Sequence, residues 1–451
     1  MFASGNANAF RLAFFTAVIY ISAITVGLRL LYYLAYVLAA VLVAAFIWSH
    51  LNKRGLSVKR QLQRTTAQVG QTVQETVEIQ NRTLLPKLWL EVRDRSTLPG
   101  HHVGAVISLK GRGAKRWQVR TRCLRRGLYR LGPTVILTGD PFGLFQSSRL
   151  FDSGSELLVY PPTVPLSQFG LPATDLPGGS KTQRRAYQST PNAAGIREYL
   201  PGDPVNRIHW AVSARVQKLM VKEFELDPTS DVWLVLDLHE GVHVESPDAE
   251  AWPASSFSTA PQPALPRRPG ETPARAARPG GESTKLRLEP TTEEYSIAVA
   301  ASLASHFIEQ GRAVGLISWG QHKVTLPADR GGRQLVKILR ALAVLRAEGT
   351  TSLAEILTAE SRQFSRQDTL VVVTPSLESR WLEALQLQLY KGITAASVLV
   401  EPATFGGSGN SLMMVSALSA MEVPTYLIKR DDALDAALAR EYGPGAMRNT
   451  R

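Results

Sequence analysis

Between Arg197 and Asp237 the chain gathers the side chains best suited by type and spacing to recognition or catalysis. Arg197, Glu198, Asp203, Arg207, Arg215, Glu223 and Glu225 alternate there with Tyr199, Trp210 and apolar residues. Guanidinium groups at these spacings can form bidentate pairs with Glu198, Asp203, Glu223 or Glu225. Two readings follow: an ion-pair network that holds a turn onto the next domain, or a recognition surface for a partner or an anion. The apolar run 232–238 then carries Asp237 near its end, with His239 two residues on. Ligands of open α/β sheets bind at the carboxyl ends of strands. Asp237 and His239 are therefore the candidate acid–base pair of a hydrolase. No paired cysteines, His-Glu-x-x-His or dinucleotide fingerprint offers other chemistry.

The elements that must position these residues are legible in the same stretch. Pro201-Gly202-Asp203-Pro204 is a strong turn. Val205, Ile208 and Val212 follow near helical spacing, so Asp203 is expected to cap a helix that has Pro204 at its first position. Upstream, residues 65–160 alternate apolar and polar side chains between turns. This predicts a small antiparallel, immunoglobulin-like β-sandwich with a connecting segment over 161–230. His101 and His102 fall in one of its turns and read as a solvated loop. The single cysteine, Cys123, reads as a buried strand residue and fits a reducing compartment. Downstream, residues 231–440 alternate continuous apolar strands with amphipathic helices, the pattern of an open, mostly parallel α/β sheet. A Pro-, Ala- and Arg-rich insertion over 242–290 reads as disordered.

Residues 10–51 hold two runs of spanning length, interrupted at Gly27 and Arg29, and predict a transmembrane helical hairpin. Lys53, Arg54, Lys59, Arg60 and Arg64 crowd its exit. The positive-inside rule then places both ends of the hairpin, and the bulk of the chain, on the cytoplasmic side of the cell membrane as a multi-pass protein. The same cluster should favour anionic headgroups and accounts for part of a net charge of +13 over 451 residues. No reader motif or aromatic-lined basic groove supports nucleic-acid binding.

The run Arg197, Tyr199, Pro201, Gly202, Asp203, Arg207, Ile208, Trp210, Ser213, Ala214 and Arg215 resembles the signature of domain-of-unknown-function family 58. Pro204 and His209 depart from it, each standing where that pattern has an acid. Asp140-Pro141-Phe142-Gly143-Leu144-Phe145, preceded by Arg125-Arg126-Gly127-Leu128-Tyr129, is a second match. The resemblance implies a von Willebrand factor type A-like carboxyl-terminal domain and a MoxR-type AAA+ ATPase as partner in assembling envelope complexes. It also implies a strand-end metal site, of which only Asp237 and Thr351 remain, because His239, Gly241 and Pro375 occupy other ligand positions. No cofactor, metal or catalytic residue is expected on this reading. The expected activity is that of a non-enzymatic membrane-anchored scaffold acting on client proteins, with the Asp237/His239 hydrolase as the alternative.

Overall fold

The computed structural model describes residues 4–166, 169, 193–199, 208–224, 231–249, 288–366 and 368–442. The chain divides into two compact units. One comprises Met1–Thr163, Val244–Ala301 and Leu339–Leu345; the other comprises Val164–His243, Ser302–Ile338 and Arg346–Arg451.

The first unit opens with helices α1 (Ser4–Val26) and α2 (Arg29–Asn52). Gly27, between them, has a φ of 73°, a conformation that glycine reaches without strain. Both helices are long and apolar enough to cross a membrane. Their small residues Ala9, Ala23, Ala35 and Ala45 are buried, while Phe10, Phe14, Ile21 and Val37 are exposed. Small side chains allow close helix approach, and the Tyr20 ring meets Tyr32 edge-on at 6.2 Å.

Ten strands follow: β1 (Leu56–Leu62), β2 (Thr66–Gln68), β3 (Thr72–Asn81), β4 (Lys87–Asp94), β5 (Ala105–Leu109), β6 (Ala114–Arg122), β7 (Gly127–Leu131), β8 (Thr134–Gly139), β9 (Gln146–Phe151) and β10 (Ser155–Tyr160). They form sheets ordered β1-β3-β6, β5-β4-β8-β9 and β2-β10-β7. The period-2 pattern read along 73–79 is realised in β3, where alternate residues are buried. Leu56 and Ile79 from the first sheet share a core with Leu90, Val92, Ile107 and Ile136 from the second. Cys123 belongs to a neighbouring core cluster, where burial pushes its thiol up to about 11.

A charge also lies in that alternating register. Glu75 is inward-facing between Val73 and Val77, and Arg60 of β1 meets it through two bonds of 2.7 and 2.8 Å. A further Arg60 nitrogen lies 2.6 Å from Asp94, and His101 Nε2 lies 3.0 Å from Glu75. Burial alone would raise the Glu75 carboxyl; bonds and charges from His101 and Arg60 outweigh it and hold the group below its usual range. Two expectations are corrected here. His101 is buried in this cluster and not in a solvated loop. The Arg60 side chain is fully buried and is not available to headgroups.

Arg126, from the second matched motif, is buried in the first unit. It pairs with Glu293 at 2.6 Å and with Glu294, and donates to the carbonyls of Leu342 and Leu345. The two glutamates occupy the first turn of an 18-residue helix, where acids also suit the helix dipole.

The remaining elements are β11 (Ala193–Glu198), α3 (Trp210–Val216), β12 (Met220–Phe224), β13 (Val232–Leu236), α4 (Thr292–Glu309), β14 (Val314–Trp319), β15 (Lys323–Asp329), α5 (Gly332–Val344), α6 (Leu353–Ala359), β16 (Thr369–Thr374), α7 (Arg380–Tyr390), β17 (Thr394–Val400), α8 (Leu412–Ala420), β18 (Thr425–Ile428), α9 (Leu434–Leu438) and β19 (Glu441–Tyr442). The second unit contains a seven-stranded sheet ordered β15-β14-β13-β16-β17-β18-β19. Its five inner strands are parallel, and β15 and β19 pair antiparallel at the edges. β13 and β16 are buried at every position, as strands covered on both faces require.

Residues 242–249 and 288–290, expected to be part of a disordered insertion, are ordered. Two 3₁₀ turns and a Glu245–Thr291 bridge define them. Residues 250–287 lie outside the described residues.

Candidate functional site

Strand order reverses at β13. The chain goes first to β14 on one side and later to β16 on the other. Ligands of open α/β sheets bind outside the carboxyl ends of the strands at such a switch point. Parallel pairing sets Leu236 opposite Val373, so the next residues, Asp237 and Thr374, stand side by side.

Asp237 is 1% exposed. One carboxylate oxygen accepts the Thr374 hydroxyl at 2.6 Å and the other accepts the backbone N–H of His239 at 3.1 Å. Thr374 Oγ1 in turn accepts the backbone N–H of Ser376 at 2.8 Å. Burial pushes the Asp237 carboxyl above its usual range, outweighing the lowering effects of the Thr374 bond, the His243 charge and the His239 contacts. The His239 ring is used locally: its Nδ1 accepts the Gly241 N–H at 3.1 Å and caps a 3₁₀ turn. Asp237 therefore takes the main chain of His239 and not its imidazole, so the pair is not arranged as a carboxylate–imidazole couple.

Around Asp237 opens a cleft of about 250 Å³. Ser352 and Glu355 form a reciprocal capping box at the start of α6 and line one side. Ser376, Glu378 and Arg380 line the other. Gly349 pairs with His239 and Leu238 through main-chain bonds. A Cβ at Gly349 would collide with the Trp319 and Leu238 carbonyls, so this approach requires glycine.

Thr350, not Thr351, lines this cleft. The hydroxyl on Asp237 comes from Thr374, which the sequence reading missed although Thr374 closes the run Thr369–Thr374. Pro375 is buried where the later acid of a type A-like site would stand. Among the described residues no group of three His, Cys, Asp or Glu side chains could hold a metal ion.

The motif residues fall elsewhere in the second unit. The main chain of Arg197 lies in β11 opposite Val221 of β12. The Tyr199 N–H bonds to Leu219 O at 2.8 Å. Gly202, Asp203 and Arg207 lie outside the described residues. The expected continuous helix from Pro204 is corrected: Ile208 makes an isolated β-bridge with Val221, and α3 starts only at Trp210. His209 caps it, its Nδ1 accepting the Val212 N–H at 3.3 Å. Ser213 is buried and accepts the Met220 N–H at 2.8 Å, which fixes the turn into β12. Trp210 is 64% exposed. Arg215, Val216 and Leu219 are also exposed, and Glu198 pairs with Lys218 at 3.1 Å.

Residues 195–250 and 283–403 match the family described as "Protein of unknown function DUF58". The chain is 23% identical over 353 residues to the uncharacterized protein YeaD of Bacillus subtilis strain 168, covering 74% of each chain. Among solved structures it is similar to the CARDB domain of a Pyrococcus furiosus protein, with TM-score 0.18, 14% identity, and coverage of 23% of this chain and 86% of that one. A Listeria innocua β-glucosidase gives TM-score 0.16, 13% identity, and coverage of 23% and 16%. Likenesses this weak carry no argument about fold or activity.

Proposed function

The chain belongs to the DUF58 family, and we propose that it is a non-enzymatic, membrane-anchored scaffold that binds other proteins. Its partner on this reading is a MoxR-type AAA+ ATPase working on envelope complexes. Helices α1 and α2 form a transmembrane hairpin, and the basic exit at Lys53 and Arg54 holds the bulk of the chain in the cytoplasm. The seven-stranded sheet, with Asp237 at its switch point, is of von Willebrand factor type A-like kind.

The observation that carries the proposal is Trp210. Aromatic residues are enriched at protein interfaces, and Trp210, the first residue of α3, is 64% exposed. Here the His209 cap and the Ser213–Met220 bond hold the backbone of the helix that carries it. Trp and Arg dominate binding hot spots, and Arg215 stands on the same short helix. The hydrolase alternative has less support: both Asp237 oxygens are engaged by protein donors, and the His239 ring is engaged as a cap.

Two measurements test the proposal. Reporter fusions after Arg64 should behave as cytoplasmic; an extracytoplasmic signal there would overturn the topology. Affinity purification of the tagged full chain from detergent-solubilised membranes should retain a MoxR-type ATPase, and an eluate without one would remove the partner assignment.

A further inference from the structure

The end of the β-region that receives α2 combines tight fixation to that helix with exposed apolar side chains and an excess of positive charge. Asn52, the last residue of α2, donates to Thr138 Oγ1 and to Gly139 O. Buried Lys87 donates to Leu51 O at 2.8 Å, a carbonyl at the helix end that also accepts the Arg54 N–H at 3.2 Å. The Phe145 ring meets Phe46 edge-on at 5.6 Å.

These contacts fix a depth. The 24 residues of α2 span roughly 36 Å at about 1.5 Å per residue, against roughly 30 Å of hydrocarbon. Phe46 precedes the end of the helix by six residues, roughly 9 Å. A spanning α2 therefore carries Phe46, and the Phe145 ring against it, down to the hydrocarbon boundary.

What surrounds Phe145 suits that depth. Asp140 accepts the N–H groups of Phe142 and Phe145 and so shapes the tight turn between β8 and β9. Phe142 is left 63% exposed at its tip. The neighbouring connection from β3 to β4 exposes Leu84 at 73%. A register shift between Lys87 and Leu90 then turns two successive apolar residues, Leu88 and Trp89, outward. Main-chain bonds from Arg82 to Gly55 O and from Arg112 to Thr83 O tie these loops to the segment leaving α2. Lys53, Arg54, Arg82, Lys110, Arg112 and Arg149 belong to these tied segments: Arg82 bonds to Gly55 O, Arg112 to Thr83 O, Arg149 to Lys53 O, and the Lys110 carbonyl accepts from Asn81. Asp140 is the acid among these loops, and its oxygens are taken by its own turn.

We propose that this end is a membrane-contact surface: Phe142 and Leu84 enter the interface of an anionic bilayer, Trp89 lies at headgroup level, and the surrounding Lys and Arg side chains pair with lipid phosphates. Apolar insertion and attraction to anionic lipid reinforce one another at such surfaces, and indole rings favour the headgroup region. The inference rests on the reading of α1 and α2 as membrane spans. It goes beyond anchoring, because it makes the β-region lie on the bilayer instead of standing off it.

Full-length single-site variants carrying an environment-sensitive fluorophore, reconstituted in phosphatidylcholine vesicles with and without phosphatidylglycerol, test it. Labels would be placed at Phe142→Cys, Leu84→Cys, Leu128→Cys and Ile21→Cys. Cys123 stays in place because it is buried. Lipids bearing a shallow nitroxide should quench the 142 and 84 labels and leave bright the label at Leu128, which is exposed on β7 of the separate β2-β10-β7 sheet. Emission at 142 should shift further to the blue with phosphatidylglycerol. If Ile21 is quenched while 142 and 84 match 128, the helices span but the contact surface is overturned. If Ile21 is also unquenched, the spanning reading itself fails. Excimers between pyrene labels at 142 would assign the tip to a second copy of the chain and likewise overturn the proposal.

Discussion

Two polar clusters in this molecule use similar side chains to opposite ends. In the β-region, Arg60, Glu75, Asp94 and His101 close on one another, and buried Arg60 faces two acids. At the strand ends of the seven-stranded sheet, Asp237 is equally buried, yet its oxygens are held by the Thr374 hydroxyl and the His239 N–H, both neutral donors. A cleft opens beside it, with Glu378 and Arg380 on its rim. The first cluster completes a fold, whereas the second leaves polar side chains facing an opening. Closure, more than residue type, separates a structural network from a candidate recognition site.

The contrast can be broken most forcefully at Arg60. Arg60→Ala leaves Glu75 and Asp94 buried without their cation, and breaking a buried pair costs about 3–5 kcal/mol. Hydrogen exchange of the β3 and β8 amides should show that loss. Acid should act on the same cluster. Glu75 is held below its unfolded value near 4.5, so its contribution is complete above that pH and is lost as pH falls through the depressed folded value. Unchanged β3 protection in Arg60→Ala would refute a structural network.

A smaller effect is expected at the mouth of the cleft. Ser352→Ala removes half of the α6 capping box, at about 0.5–2 kcal/mol. Faster exchange confined to α6 and the adjoining turn would locate the effect.

The smallest expected change in folding stability has the opposite sign. Burial raises the Asp237 carboxyl above its unfolded value of 3.8. Its contribution is therefore intact below that pH and declines as pH rises through the folded value. Asp237→Asn should raise the thermal midpoint at neutral pH and leave it unchanged in acid. A large loss at neutral pH would mean that the ionised carboxylate is needed where it sits.

Legibility followed the range of the forces involved. Continuous apolar runs such as Val232–Leu236 and Thr369–Thr374 announce buried parallel strands locally, and they form as read. The two spanning-length helices are equally plain. Short elements were not visible: α6 has seven residues, and β15 is an edge strand whose burial alternates weakly. Partners across a sheet were also hidden, since nothing near Arg60 in sequence indicates Glu75 or Asp94. Thr374 illustrates the limit. It joins Asp237 only through the β13–β16 register, which no local pattern encodes. At the motif, the expected helix was to run on through Ile208, but the Ile208 bridge and the His209 cap place the start of α3 at Trp210, while Asp203 and Pro204 lie outside the described residues.

The central claim is that the chain binds a MoxR-type ATPase through the surface bearing Trp210. Binding of the purified ATPase to the full chain in nanodiscs, wild type against Trp210→Ala, tests it most directly when paired with a thermal melt of each protein. Because the indole is exposed, the account predicts an unchanged melt and a loss of binding of about 2 kcal/mol or more, the scale of a hot-spot anchor. Full-strength binding by Trp210→Ala, or no binding by the wild type, would contradict it.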